Sequence, residues 1–257
     1  MEWSDRGVLL SARPHGEGHA VVELFTEAHG RHAGLVYGGA SRRMRPMLEP
    51  GAGVAATWRA RLADNLGVFT LEVDAPRAAR LLDDPLALAG LASLCAVARA
   101  VLAEREPHPG LFAATEIVLD ALQDPDIWPA LYVKWELGLL QEAGFGLELT
   151  RCVATGRRED LTHVSPKSGG AVSAEAAEPY RDKLLPLPAF LLGAQAGEAS
   201  PHAVLQGVEL TGYFLERRIF WPASREAPEP RKRLLERLSA RARANVDDTS
   251  PPGESGV

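Results

Sequence analysis

Read for the alternation of apolar and polar positions, the first 75 residues break into five short runs: GVLLSARP, AVVELFTE, HAGLVYGGAS, GVAATWRARL and GVFTLEVD. Each is apolar or β-branched and is bounded by a glycine-containing break (HGEGH, EAHGRH, EPGAG or ADNLG), the pattern of strands separated by turns. In the fourth run Val54, Ala56, Trp58, Ala60 and Leu62 share one face, and Ala55, Thr57, Arg59 and Arg61 share the other. One face therefore turns inward while the other shows arginine to solvent. Five strands over residues 1–75 predict a small OB-fold barrel, an architecture that binds oligonucleotides across its strand 2–3 face and adjacent loops.

From Pro76 the period becomes helical, which makes the fold class α+β. Asp84-Pro85 supplies a cap and a first-turn proline for a helix running through LALAGLASLCAVARAVLAERE to the proline-rich PHPG. Further helices are predicted at 110–123 and at 127–143. The second carries Trp128, Leu131, Trp135, Leu139 and Leu140 at helical spacing and closes at Gly144. Short helices follow at 174–182 and 187–195, then longer ones at 201–220 and 230–244, which gives a helical domain over 76–245. The tail 246–257 is polar and rich in proline and glycine, and it is expected to be disordered.

Composition narrows this only a little: 46% hydrophobic and 24% charged residues suit an ordinary globular chain. No run of eighteen apolar residues exists, and MEWSDRGVLL carries charges where a signal peptide needs an apolar stretch. Two cysteines, Cys95 in a helical pattern and Cys152 in a loop, form no disulfide framework and suit a reducing compartment. The chain therefore reads as cytoplasmic, without a membrane partner. The net charge of −6 argues against a phosphate-binding surface, but its distribution argues the other way. Residues 1–61 hold eight arginines against six acids, 84–150 three basic residues against ten acids, and 213–243 nine basic residues against four acids. Basic ends permit nucleic-acid binding that the acidic middle would repel.

Candidate chemistry is sparse. His15-Gly-Glu17-Gly-His19 sets two imidazoles around a carboxylate, but Gly16 and Gly18 disfavour the helix a zinc-binding H-E-x-x-H needs, so the segment reads as a hairpin turn. His29 and His32 around Gly30 have the same explanation. No nucleophile elbow, phosphate loop or dinucleotide fingerprint is present, and the chain reads as a non-enzyme without cofactors. Ser41-Arg42-Arg43-Met44-Arg45-Pro46 follows Gly38-Gly39 and reads equally as a solvated loop or a phosphate clamp; Arg31, Arg59 and Arg61 tilt it toward binding. Aromatic stacking partners are few: Trp3, Tyr37 and an inward-facing Trp58. Arg231, Lys232, Arg233, Arg237, Arg241 and Arg243 read as the solvated face of a terminal helix. Arg217 and Arg218 sit beside apolar residues, where their stems could line a groove for an acidic, hydrophobic peptide.

The stretches RPHGEGHAVVELFTEAHGRHAGLVYGGASR, LEPGAGVAATWRARLADNLGVFTLE, WELGLLQEAGFGLELTRCVATGRREDLTHVSPKSGGAVS and KLLPLPAFL resemble the RecO family of DNA repair proteins, over residues from about 5 to 222. The resemblance implies an OB-fold, a helical domain and a zinc-ribbon-like insertion, here 150–178. It implies binding of single- and double-stranded DNA, strand annealing, and partnership with RecR. With RecR the family helps load RecA onto DNA coated by single-stranded-DNA-binding protein, whose acidic C-terminal tail it recognises. No catalytic step is implied. A monomer associated with the nucleoid is expected. Arg13, Arg31, Arg42, Arg59 and Arg61 carry over as DNA contacts, with Arg43 and Arg45 added from the loop argument. The competing reading is an interaction scaffold whose barrel binds peptide; a DNA-processing enzyme is the third. In relatives with a full ribbon, two C-x-x-C pairs hold zinc, and their places here are Cys152, Thr155, Ser173 and Ala176. With His163 as a second donor at most, tetrahedral zinc lacks ligands and no metal is expected. Leu161, Val164 and Val172 are expected to pin a short hairpin in its place, turned by Ser165 to Gly170.

Overall fold

The computed structural model describes residues 1–62, 65–193 and 199–248. Five strands, β1 (Glu2–His15), β2 (His19–Thr26), β3 (Gly30–Val36), β4 (Gly53–Arg59) and β5 (Val68–Ala75), close a barrel in the order β1-β2-β3-β5-β4. All neighbours are antiparallel except β3 and β5, which meet in parallel at Leu35 and Val68. The Leu35 amide donates to the Gly67 carbonyl at 3.0 Å to complete that junction. Gly67 takes φ +66°, and a Cβ there would fall 2.3 Å from the Trp58 indole nitrogen, so the closing turn admits no side chain. The barrel interior is filled by Leu9, Val22, Leu24, Val54, Ala56, Trp58 and Phe69. Trp58 faces inward, as its alternation predicts, and donates to the Leu66 carbonyl. β4 stops at Arg59, three residues short of the predicted run, leaving Leu62 exposed.

The helical domain comprises α1 (Pro85–Val101), α2 (Pro109–Ala121), α3 (Trp128–Glu142), the short α4 (Ala174–Ala177), α5 (Pro201–Leu215) and α6 (Glu229–Asp248). Asp84 caps α1 by accepting from the Leu86 and Ala87 amides at 2.9 Å. α1 ends earlier than its apolar pattern suggests, because Leu102 turns extended and offers its carbonyl to Arg31 Nε at 2.9 Å. The predicted 187–195 helix shrinks to one 3-10 turn, Ala189–Leu191, and its last two positions lie outside the described residues. The predicted 201–220 helix is α-helical only to Leu215 and widens to a π turn over Glu216–Phe220. α6 continues through Asp248, beyond the expected start of the tail; 249–257 lie outside the described residues. Among the described residues no helix is long and apolar enough to cross a membrane.

Barrel and helices share a seam. Val8, Leu10 and Phe25 point out of the barrel and join the core formed by Leu91, Leu94, Phe112 and their neighbours. Burying each such side chain stabilises by about 1.5–3 kcal/mol. Arg77, itself buried, donates to the Gly51 carbonyl and to Asp120 on α2, tying the base of the barrel to the helices.

A small second sheet sets β6 (Leu161–Val164) between β7 (Ala171–Ser173) and β8 (Leu185–Pro186), the last beyond the expected 150–178 insertion. Leu161, Val164 and Val172 are buried in the main core, as expected for a hairpin held by packing.

Candidate nucleic-acid interface

Of the strand 2–3 face, the β2 half is covered here by α1, while Arg31, Ala33 and Leu35 on β3 stay partly exposed. On the outer side of β2, Glu23 is buried and receives Arg31 Nη1 at 2.6 Å and Arg99 Nε, from α1, at 2.7 Å. Burial raises the Glu23 carboxyl, but hydrogen bonds and charge from Arg99 and Arg31 outweigh it and hold the group below its ordinary range. Arg31 also donates to the Leu102 carbonyl and lies 3.4 Å from Glu104. It is thus engaged at the domain seam, with its side chain 16% exposed. The sequence signal was Glu23 itself, a carboxylate inside the apolar run AVVELFT, which had to find a partner.

What stays open is the rim beside that face. The β1–β2 hairpin carries Arg13 near its tip, and Gly18 there accepts from the Ala40 amide at 3.2 Å. His19 Nδ1 accepts from the Gly38 amide at 3.2 Å. HGEGH is therefore a turn, as read, and also a buttress for the loop that follows β3. In that loop the Ser41 carbonyl accepts from the Arg45 amide, and Arg45–Met47 form a 3-10 turn. This folding directs Arg42, Arg43 and Arg45 outward, all exposed. A cleft of about 220 Å³ brings Arg13 and Arg45 together over Ala12, Gly39 and Leu48. On the other side of Tyr37, a shallow cleft of about 520 Å³ holds Arg59, Arg61, Met1 and Val68. Among the described residues the guanidinium groups of Arg13, Arg42, Arg43, Arg45 and Arg61 make no internal hydrogen bond or ion pair. Arg59 pairs with Glu2 at 2.8 Å with both side chains in solvent, an arrangement that water and salt readily compete away. The outer positions of β5, Thr70, Glu72 and Asp74, are exposed and partly acidic, so the basic zone stops there.

The aromatic residues divide. Trp3 stacks on His29 at 4.0 Å and on Trp58 at 5.7 Å, while His32 meets Trp58 edge-on at 4.8 Å. His32 is buried with neither ring nitrogen bonded; burial, followed by Arg105 and His29, depresses it to about 4. His29 Nδ1 contacts Asp5 at 2.9 Å. This cluster belongs to the barrel's packing rather than to a metal site.

The chain matches the family model described as Recombination protein O N terminal over residues 1–73 and the one described as Recombination protein O C terminal over 82–226. The chain belongs to the RecO family. Among relatives, the DNA repair protein RecO of Rhodospirillum centenum is 55% identical over 239 residues, covering 92% of this chain and 94% of that protein. The RecO of Phenylobacterium zucineum is 54% identical over 243 residues, 95% of this chain and 100% of that protein. The RecO of Cereibacter sphaeroides is 52% identical over 240 residues, 93% and 99% respectively. The N-terminal match coincides with the barrel, and the C-terminal match stops just before α6.

Around Cys152 the four positions expected from the resemblance offer little for a metal. Cys152 Sγ and Ser173 Oγ stand 3.5 Å apart, and Thr155 lies in the turn closed by Gly156 donating to the Cys152 carbonyl. Burial raises the Cys152 thiol, but these hydroxyls and the Ser173 and Ala154 amides more than reverse this, bringing it to about 6. Ala176 is half-buried against the core and offers no donor. His163 is engaged with Thr162. One sulfur and two hydroxyls do not suit tetrahedral zinc. A hydrogen bond from Ser173 to Cys152 joins the two segments instead.

Two further arginine readings change. Arg231 does not lie on a solvated face: it is buried, donating to Glu136 at 2.7 and 2.9 Å and to the Val208 carbonyl at 2.7 Å. Arg241 binds Asp126 and the Pro125 carbonyl. Arg217 lies over the Tyr213 and Trp221 rings at 5.4 and 4.5 Å, and Arg218 donates to the Lys167 carbonyl, so both are already engaged. A separate groove of about 320 Å³ runs between α2 and α3, floored by Gly110, Leu111, Ala114 and Gly138 and edged by the exposed Ile117 and Lys134.

Proposed function

We propose that this protein is a DNA-binding recombination mediator that binds single and double strands and anneals complementary ones. The observation that carries this reading is the row of guanidinium groups unpaired among the described residues, Arg13, Arg42, Arg43, Arg45 and Arg61, on one barrel rim of a chain whose net charge is −6. Arg59 extends the row once its exposed pair with Glu2 opens. Guanidinium forks match phosphate oxygens, so the rim holds backbones while bases stay free to pair. Annealing then requires neutralisation of two phosphate chains rather than base readout, and counterion release makes it salt-dependent. The protein performs no covalent chemistry in this reading, acts in the cytoplasm at the nucleoid, and functions as a monomer until it meets RecR.

With RecR it helps RecA replace single-stranded-DNA-binding protein. For that protein's acidic, apolar tail, the α2–α3 groove has the better chemistry: an apolar floor with, among the described residues, one free cation, Lys134, at its edge, and Glu142, which pairs with His108, at its end. Arg217 and Arg218 offer charge, but less open apolar surface.

The test is strand annealing of complementary oligonucleotides, with and without RecR and single-stranded-DNA-binding protein. Acceleration that survives coating of the strands only when RecR is added is the expected result. Binding of peptides but of no DNA would favour the scaffold reading.

A further inference from the structure

Among the described residues Tyr37 is the one aromatic side chain that the basic rim leaves in solvent. It is 64% exposed, whereas Trp3 is stacked between His29 and Trp58, and Trp58 is buried. It stands between the two arginine groups: the loop with Arg42, Arg43 and Arg45 follows it directly, and Arg59 and Arg61 share its cleft of about 520 Å³. Its ring is also positioned. His19 meets it edge-on at 5.1 Å and 83°, and the next residue, Gly38, is tied to the same His19 through its amide. Gly38 takes φ +70°, a turn that lets the chain leave β3 sharply and stand Tyr37 at the corner. Burial does not explain a large apolar ring held at a corner between cations.

We infer that Tyr37 is a stacking platform for an unpaired nucleobase, with Arg59 and Arg61 holding the flanking phosphates and His19 fixing the ring. The inference rests on the DNA-binding reading above. A ring face accepts any base, so the contact is sequence-tolerant, and it is closed to bases already stacked and paired in a duplex. It gives the rim a means of telling single from double strands that charge alone lacks. During annealing the base leaves Tyr37 as it pairs, so the finished duplex loses a contact and is released more easily than the single strand.

The test uses the full chain and three labelled probes of equal length: a thymine oligonucleotide, the same backbone with abasic sites, and a duplex, each titrated by fluorescence anisotropy. The native protein should bind the thymine strand roughly tenfold more tightly than the abasic one. Tyr37→Ala should erase that difference while leaving the abasic strand, the duplex and the salt dependence unchanged; Tyr37→Phe should keep it. His19→Ala should reduce it partially. Equal binding of thymine and abasic strands by the native protein overturns the inference and leaves the DNA-binding reading standing. So does a Tyr37→Ala loss spread evenly over all three probes, which would mark a structural role. Failure to bind any probe removes both readings.

Discussion

Arg231 Nε lies 2.7 Å from Glu136 Oε1 with both side chains buried, so the C-terminal helix α6 is locked to α3 by an ion pair that water does not reach. Burial opposes the guanidinium's charge, but Glu136 more than compensates and raises its affinity for the proton. Thr211 and Tyr132 complete the carboxylate's coordination, and Ser93 bonds the Tyr132 hydroxyl. Arg231→Ala strands a buried carboxylate and is expected to cost about 3–5 kcal/mol, read by denaturant unfolding. The double substitution Arg231→Met with Glu136→Gln should recover part of that loss.

Glu23 gives a pH dependence of definite sign. Its folded pKa is depressed by Arg99 and Arg31, so it contributes stability that is present above the ordinary carboxylate pKa and lost as pH falls through the lower folded value. Thermal unfolding of the native chain should therefore weaken below roughly pH 4. Glu23→Gln should be less stable at pH 7 and show a flatter decline in that acid window. An unchanged slope would mean the seam does not depend on this carboxylate.

The arginine loop predicts a change in salt response. Replacing Arg42, Arg43 and Arg45 with alanine should weaken binding of all single-stranded sequences about equally and lower the slope of log affinity against log salt by about two, since each phosphate contact in a single strand contributes about 0.7. Arg31→Ala should instead lower the unfolding temperature and leave the slope alone.

The expectation that residues 150–178 stand where relatives carry a zinc ribbon can be tested by supplying the missing ligands. Thr155→Cys, Ser173→Cys and Ala176→Cys together restore two C-x-x-C pairs around Cys152. The triple variant should bind one zinc by elemental analysis and show tetrahedral thiolate spectra with cobalt. The native chain, purified without added metal, should hold less than stoichiometric zinc.

Lys134→Glu should abolish binding of an acidic, apolar C-terminal peptide in a fluorescence titration, and Ile117→Ser should weaken it several-fold. Loss with Arg217→Ala but not with Lys134→Glu would move the site to the end of α5.

Much of this fold is legible in the sequence because period carries it. Strand alternation places Trp58 inside the barrel, Asp84-Pro85 starts α1, and the apolar stripe through Trp128, Trp135 and Leu139 marks α3. What is hidden is long-range charge. Arg231 sits among basic residues whose local pattern reads as a solvated face, and only the fold brings it to Glu136, 95 positions earlier. The partners of Arg31 are hidden in the same way, since nothing local joins it to Glu23 and to the Leu102 carbonyl until α1 is docked. The early end of α1 has the same origin: propensity continues the helix, but the Leu102 carbonyl is taken by Arg31. His19 reads correctly as part of a turn, yet nothing local announces that it supports Tyr37 and Gly38.

The convergence of Arg31 and Arg99 on the single carboxylate of Glu23 has a mechanical meaning. Swinging the barrel against the helices would strip that carboxylate of its partners inside an apolar seam, so the two domains travel as one body. On the proposed function, a strand gripped at the rim would be carried at a set distance and angle from anything docked on α2 and α3. The protein would then act as a rigid bracket between DNA and a protein partner, with handover coming from movement of the strand or the partner.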